Sequence, residues 1–285
     1  MTMTTSTPSP ATTAPGRVAG GSLGGAFNGS VFTRTLWDNR RSLLVWAVAA
    51  GLLALVYASF YPQVSADSMA NVPEAMRGFG FEDTSTAAGY LRGAVFGLLV
   101  PLLVTFYGAA TGARTISTDE ESGYLDLLLA HPISRTRLLL HRYAALAAGA
   151  ILIAAAVFAA MLAVRNSADL DSIAVSGFAA QTLNVALLGL LFGAVATGIG
   201  AAFGRSRGAV FGSTAGLGVL AYALHGLAPQ IGAEWLRYLT PYHYYIDHQP
   251  LINGVNGGDI AVLASCATVA VAAGVWRLNQ RDLRR

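Results

Sequence analysis

Tyr143–Val164 reads YAALAAGAILIAAAVFAAMLAV, 22 residues without a charged or amide side chain. A helix rises about 1.5 Å per residue and the hydrocarbon layer is about 30 Å thick, so this stretch can cross a bilayer. A core helix of a soluble protein keeps a polar face for water, and this one has none. Five more blocks share the property: Leu43–Tyr61, Gly93–Ala113, Gln181–Phe203, Ala209–Ala228 and Ile260–Trp276, none interrupted by Asp, Glu or Arg. The last crosses only with its flanking residues. Lipid cannot satisfy backbone polar groups, so six such blocks predict six transmembrane helices. A soluble bundle would instead need six adjacent core helices with no charged face. Composition agrees, with 54% apolar and 12% charged residues and 32 glycines in 285 positions. The expected fold is an all-α polytopic membrane protein, with one six-span domain over 27–285.

Orientation comes from arginine, which supplies all 18 basic residues; lysine is absent. Arg17, Arg34, Arg40 and Arg41 precede span one, and Arg114, Arg135, Arg137 and Arg142 lie between spans two and three. Arg205 and Arg207 lie between spans four and five, and Arg277, Arg281, Arg284 and Arg285 follow span six. Only Arg77, Arg92, Arg165 and Arg237 fall on the opposite side. The positive-inside rule therefore puts both termini in the cytoplasm. The net charge of +3 describes a basic collar that meets anionic lipid, and a nucleic-acid partner has no support.

Residues 1–26 are rich in Thr, Ser, Pro, Ala and Gly without an apolar run, which predicts a disordered tail and no signal peptide. Between that tail and span one, Phe27, Val31, Phe32, Leu36 and Trp37 alternate with Arg34, Asp38, Arg40 and Arg41. This pattern predicts an amphipathic helix lying in the interface; a solvated lead-in with snorkelling arginines is the alternative. Cys266 stands alone inside span six, so there is no disulfide framework.

Missing chemistry narrows the function. A P-loop requires lysine, so this chain hydrolyses no ATP through a Walker motif. Ion-coupled carriers keep ionisable groups inside their spans, and His225 is the one candidate here. Its simpler role is a polar side chain satisfied by a neighbouring helix. Ser213 and His225 share a helix about 18 Å apart by rise, too far to form a protease pair. Toward the outer side, His243, Asp247 and His248 could form a weak metal site. Trp235, Tyr238, Tyr242, Tyr244 and Tyr245 surround them, which favours an interfacial aromatic belt around a short hairpin at Pro241. No metal site is expected overall.

The most informative stretch is cytoplasmic: Thr118-Asp-Glu-Glu-Ser-Gly-Tyr-Leu-Asp-Leu-Leu-Leu-Ala-His-Pro-Ile-Ser-Arg135. Thr118 and Glu121 form a capping-box pattern, Asp119, Glu120 and Glu121 suit the positive helix end, and Pro132 stops the helix after about three turns. Leu125, Leu128 and Leu129 share one face, and Ser134 can cap a second helix carrying Arg135 into span three. Such an elbow either docks a partner or anchors the loop in the interface; both uses want the same amphipathic pattern.

The order Glu120, Glu121, Gly123, Leu125, Leu127, Leu128, Leu129, Ala130, Pro132, Ser134, Arg135 resembles the cytoplasmic loop of type-2 permeases of ATP-binding-cassette transporters. Tyr124 replaces the common Thr, and Asp126 the common Glu. The helix before span one, the Pro- and Tyr-containing hairpin before span six and Arg281-Asp282-Leu283 extend the likeness over nearly everything after residue 27. The resemblance implies a six-span half of an exporter that works with a second copy or a homologous permease. Two separately encoded ATPase subunits would dock on Glu120, Glu121, Gly123, Leu125, Asp126, Leu128, Leu129, Pro132, Ser134 and Arg135. ATP and Mg would then bind the partner, with no cofactor in this chain. Closure of the ATPase pair would move the 119–130 helix as a lever on spans one, two and five.

Gly189/Gly193 on span four and Gly208/Gly212/Gly216 on span five have small-residue spacing that permits close helix approach, first of all within the chain. Pro101 predicts a kink in span two. A membrane anchor or assembly factor that recruits a partner without transport is the competing function. Substrate identity is not encoded legibly: a neutral, apolar pathway suits drugs, lipids, peptides and small hydrophobic metabolites. The Ala, Gly and Arg bias without lysine points to a high-GC bacterium, hence the inner (plasma) membrane.

Overall fold

The computed structural model describes residues 27–63, 79, 81, 86–115, 134–204 and 206–280, without side chains for 27–31 and 135. Among these, six helices are long and apolar enough to cross a membrane: Phe32–Gln63, Ala87–Arg114, Thr136–Val164, Val175–Phe203, Arg207–Leu227 and Gly257–Gln280. They are called spans one to six. Each extends past its uncharged block because helix geometry continues into polar and charged flanks; Arg92 and Asp259 thereby enter spans two and six.

Span four is the central helix, packing against spans two, three, five and six, while span one lies mainly on span three. Its sequence explains this position. Neighbours fill the space over Gly189, Gly193 and Gly198: a Cβ on Gly189 would lie 2.7 Å from Val104 Cγ2, and one on Gly198 would lie 2.7 Å from the Ala270 carbonyl. Gly204 ends the helix in the left-handed conformation (φ 54°), which a residue without Cβ adopts freely.

Two expectations are corrected and one is sharpened. Phe27–Ser59 is a single unbroken helix, so the segment before span one is no separate in-plane element. Nothing in Phe32–Ala50 breaks a helix, because neither Gly nor Pro occurs there. Phe32 and Leu36 are half-buried, whereas Arg34, Trp37, Arg40 and Arg41 are exposed. Arg34 pairs with Asp38 at 3.8 Å, and the Arg40 guanidinium lies 4.0 Å from the Trp37 ring centre. Second, the irregularity in span two lies just ahead of Pro101, where Ala94–Leu99 winds as a π-helix before the α-helix resumes at Val100.

Third, Gly208, Gly212 and Gly216 do not pack within the chain: a Cβ on any of them would meet nothing within 4 Å. Span five buries Val210, Thr214, Gly218 and Tyr222. That four-residue series faces spans two and four, and positions two residues away point to the opposite side at 3.6 residues per turn. Gly189 and Gly193 do pack, and their partners across the seam are Gly108 and Gly112 of span two.

Candidate functional site

Between spans five and six the chain folds back as a hairpin: a 3-10 turn Glu234–Leu239, then a π turn His243–Asp247. The end of the bundle that holds it is called the hairpin end. Asp247 closes the π turn and becomes a meeting point for four side chains. Arg237 Nη2 lies 2.8 Å from Oδ1, Arg92 Nη2 3.5 Å and His225 Nε2 3.4 Å, while His243 Nδ1 lies 2.7 Å from Oδ2. Arg92 belongs to span two and His225 to span five, so one carboxylate ties both spans to the hairpin. The Asp247 side chain is only 12% exposed. Burial alone would raise its pKa, but the His225 hydrogen bond, the charges of His225 and Arg237 and the His243 hydrogen bond outweigh burial and bring it to about 2.

A second pair lies alongside. His248 Nδ1 is 2.9 Å from Asp259 Oδ2 at the start of span six, and the His243 and His248 rings are 5.5 Å apart. The two histidines thus serve different carboxylates. Among the described residues, no group of three or more His, Cys, Asp or Glu side chains is arranged to hold a metal ion.

Beneath the charges sits an aromatic layer, and here the expected belt divides. Trp235 and Tyr238 are exposed, but Tyr242 and Tyr245 are each 1% exposed and belong to the core. The π turn drives them inward. Tyr242 hydroxyl shares a 2.9 Å hydrogen bond with Thr105 Oγ1 of span two, and Asn184 Nδ2 of span four donates to the Tyr245 carbonyl at 3.0 Å. Tyr222 of span five stacks edge-on against Tyr242, with ring centres 5.3 Å apart. Its hydroxyl donates to the Gly97 carbonyl at 2.8 Å. Pro101, four residues on, has no N–H to offer that oxygen, so tyrosine supplies the donor. Tyr222→Phe is expected to lower stability by about 1–2 kcal/mol through the unsatisfied carbonyl. An unchanged unfolding midpoint in detergent would show that Gly97 finds another donor.

Of the sequence-predicted docking residues, Glu120, Glu121, Gly123, Leu125, Asp126, Leu128, Leu129 and Pro132 lie outside the described residues. Ser134 caps the helix Arg135–Val164, its hydroxyl accepting from Arg137 N at 3.3 Å, with Arg135 in the first turn. His225 is buried and shared between Asp247 and Thr240, whose Oγ1 is 3.4 Å from its Nδ1, in keeping with a polar group satisfied by its neighbours. Sequence reasoning missed Arg92, Arg237 and Asp259 as network members. It also missed Gly108 and Gly112, although GAATG carries the same four-residue spacing as Gly189/Gly193 and was readable.

Residues 30–278 match the family model described as the C-terminal domain of the multidrug efflux system permease Rv1217c. No curated protein matches the chain.

Proposed function

The chain belongs to the family of that multidrug efflux permease domain, and from this premise we propose that it is the membrane subunit of an ATP-binding-cassette exporter of the type-2 kind. Membership makes it a multi-pass transport permease; the finer reading adds the energy source. The carrying observation is the extent of the match, which takes in spans one to five, all but the last two residues of span six and the whole connection between spans two and three. That connection carries the acidic and leucine-rich sequence at 119–130, and the chain lacks lysine for a P-loop of its own.

In this reading two cassette ATPases, holding ATP and Mg, dock on the elbows of two permease chains. The arginine distribution supports a reading with the termini in the cytoplasm and the hairpin outside, in a bacterial inner membrane. The Asp247 network then serves as an outer clasp. It joins spans two and five across an end that must open for release, and ion pairs with two discrete arrangements suit a switch. Small hydrophobic drugs fit the largely apolar spans as cargo class.

Co-purification with candidate cassette ATPases tests the coupling. The wild-type chain is expected to retain one such ATPase and stimulate its turnover, and Leu128→Glu or Glu121→Arg to reduce retention at least about tenfold, as truncation of central interface residues does. Association with none, or association indifferent to both substitutions, sinks the reading. A stable complex that neither hydrolyses ATP nor moves substrate would favour an anchoring role.

A further inference from the structure

At the end of the bundle opposite the hairpin, spans one, two, three and five enclose a recess of about 550 Å³. Arg114 from the end of span two, Arg142 from the start of span three and Arg207 from the start of span five line it. Three separate helices thus deliver guanidinium groups to one cavity. Arg142 Nη1 donates to the Thr115 carbonyl at 2.5 Å, fixing that side chain across to span two. Arg207 acts on Arg114 with a repulsive charge. Asp38, which pairs with Arg34 at 3.8 Å, also lines the recess.

The remaining wall is apolar, formed by Leu36 and Leu43 of span one and by Leu146 of span three. A cationic rim over an alkyl-lined wall matches an amphiphile with an anionic head. Its depth also fits. Trp37, 67% exposed and stacked under Arg40, lies beside Leu36 on the same helix. Exposed Trp and Arg side chains of this kind settle at headgroup level.

We propose that this recess is a binding site for an anionic phospholipid, with the phosphate between Arg114, Arg142 and Arg207 and an acyl chain along Leu36, Leu43 and Leu146. Guanidinium forks bind phosphate oxygens in pairs, and basic pockets between transmembrane helices at a membrane surface are suited to such headgroups. The site requires only that this end meets a bilayer surface. It does not depend on transport or on an ATPase.

The test uses the full chain in a neutral detergent, with dioctanoyl phosphatidylglycerol and dioctanoyl phosphatidylcholine as probes. Binding is read by native mass spectrometry and by thermal shift. The anionic lipid is expected to bind about tenfold or more tighter than the zwitterionic one, the size of effect that two or three basic side chains near a headgroup produce. Arg114→Gln with Arg207→Gln should remove that preference and leave phosphatidylcholine binding and the lipid-free midpoint unchanged. Should the double variant fail to accumulate, Arg207→Gln alone carries the test, since it is exposed in the first turn of its helix. Arg277→Gln, an exposed arginine beside Trp276 at the same end of the bundle, should keep the preference. Equal binding of the two lipids, or a preference untouched by the arginine substitutions, overturns the proposal. So does inorganic phosphate that displaces the lipid and stabilises the chain equally at millimolar concentration, because that marks a site for free anions.

Discussion

Asp247→Asn is expected to lower the stability of the chain by about 3–5 kcal/mol, the range for removing one partner from a buried ionic cluster. Asparagine keeps the shape and loses the charge. Arg92 and Arg237 remain, with side chains only 12% and 19% exposed, and the positive groups around position 247 then repel without an anion between them. Asp171→Asn is the comparator: Asp171 pairs with Arg165 at 3.9 Å with its side chain 65% exposed, and exposed pairs contribute about 1 kcal/mol or less. Unfolding in mixed micelles reads both variants. Equal losses would mean that the cluster is ornamental to stability.

Acid gives a second readout of the same carboxyl. Its pKa falls from 3.8 to about 2 in the folded chain, so its stabilising contribution is complete above the ordinary value and is lost as pH falls toward 2. Protonating the carboxyl should therefore reproduce the Asn variant only in that acid window.

Gly112→Leu is expected to prevent the chain from accumulating as a folded protein. A Cβ on Gly112 would lie 2.5 Å from the Gly193 carbonyl and 2.7 Å from Ala196 Cβ; one on Gly108 would lie 2.6 Å from the Gly189 carbonyl and 2.7 Å from Gly193 N. Backbone atoms cannot rotate aside as side chains do, so spans two and four must separate. Even Gly112→Ala should cost about 1–3 kcal/mol, the range for overpacking a close contact. Gly212→Ala, whose Cβ meets nothing within 4 Å, should change the stability of the isolated chain by less than about 0.5 kcal/mol. Expression level and unfolding midpoint distinguish the two seams, and similar behaviour of both variants would contradict the packing of span two on span four.

Much of this architecture was legible because bilayer crossing is a local property. Each span announces itself in about twenty consecutive residues, and the Tyr143–Val164 block needed no tertiary information. The Asp247 network was not legible, because its members at 92, 225, 237, 243 and 247 come from two spans and a hairpin, and nothing local pairs them. Arg92 and Asp259 stand one residue outside the uncharged blocks that begin at Gly93 and Ile260, because hydropathy sees where charge begins, not where the helix does. The tyrosines show a related limit: Tyr238 and Tyr242 have the same composition signature, and only the π turn decides that one meets solvent or lipid and the other the core. The helix before span one failed for a simpler reason, since an amphipathic pattern does not encode whether a helix bends at its end.

The winding of span two has a consequence for timing as well as shape. Each turn with i→i+5 hydrogen bonds takes up one residue more than an α turn, an angular slip of about 100° at 3.6 residues per turn. Ala94–Leu99 therefore sets the clock angle of everything before it, Arg92 included, relative to the seam formed by Gly108 and Gly112. A return of that segment to α winding would swing Arg92 away from Asp247 while the glycine seam stayed in contact. In the exporter reading, such a change of winding would free the clasp by a change of phase and not by sliding.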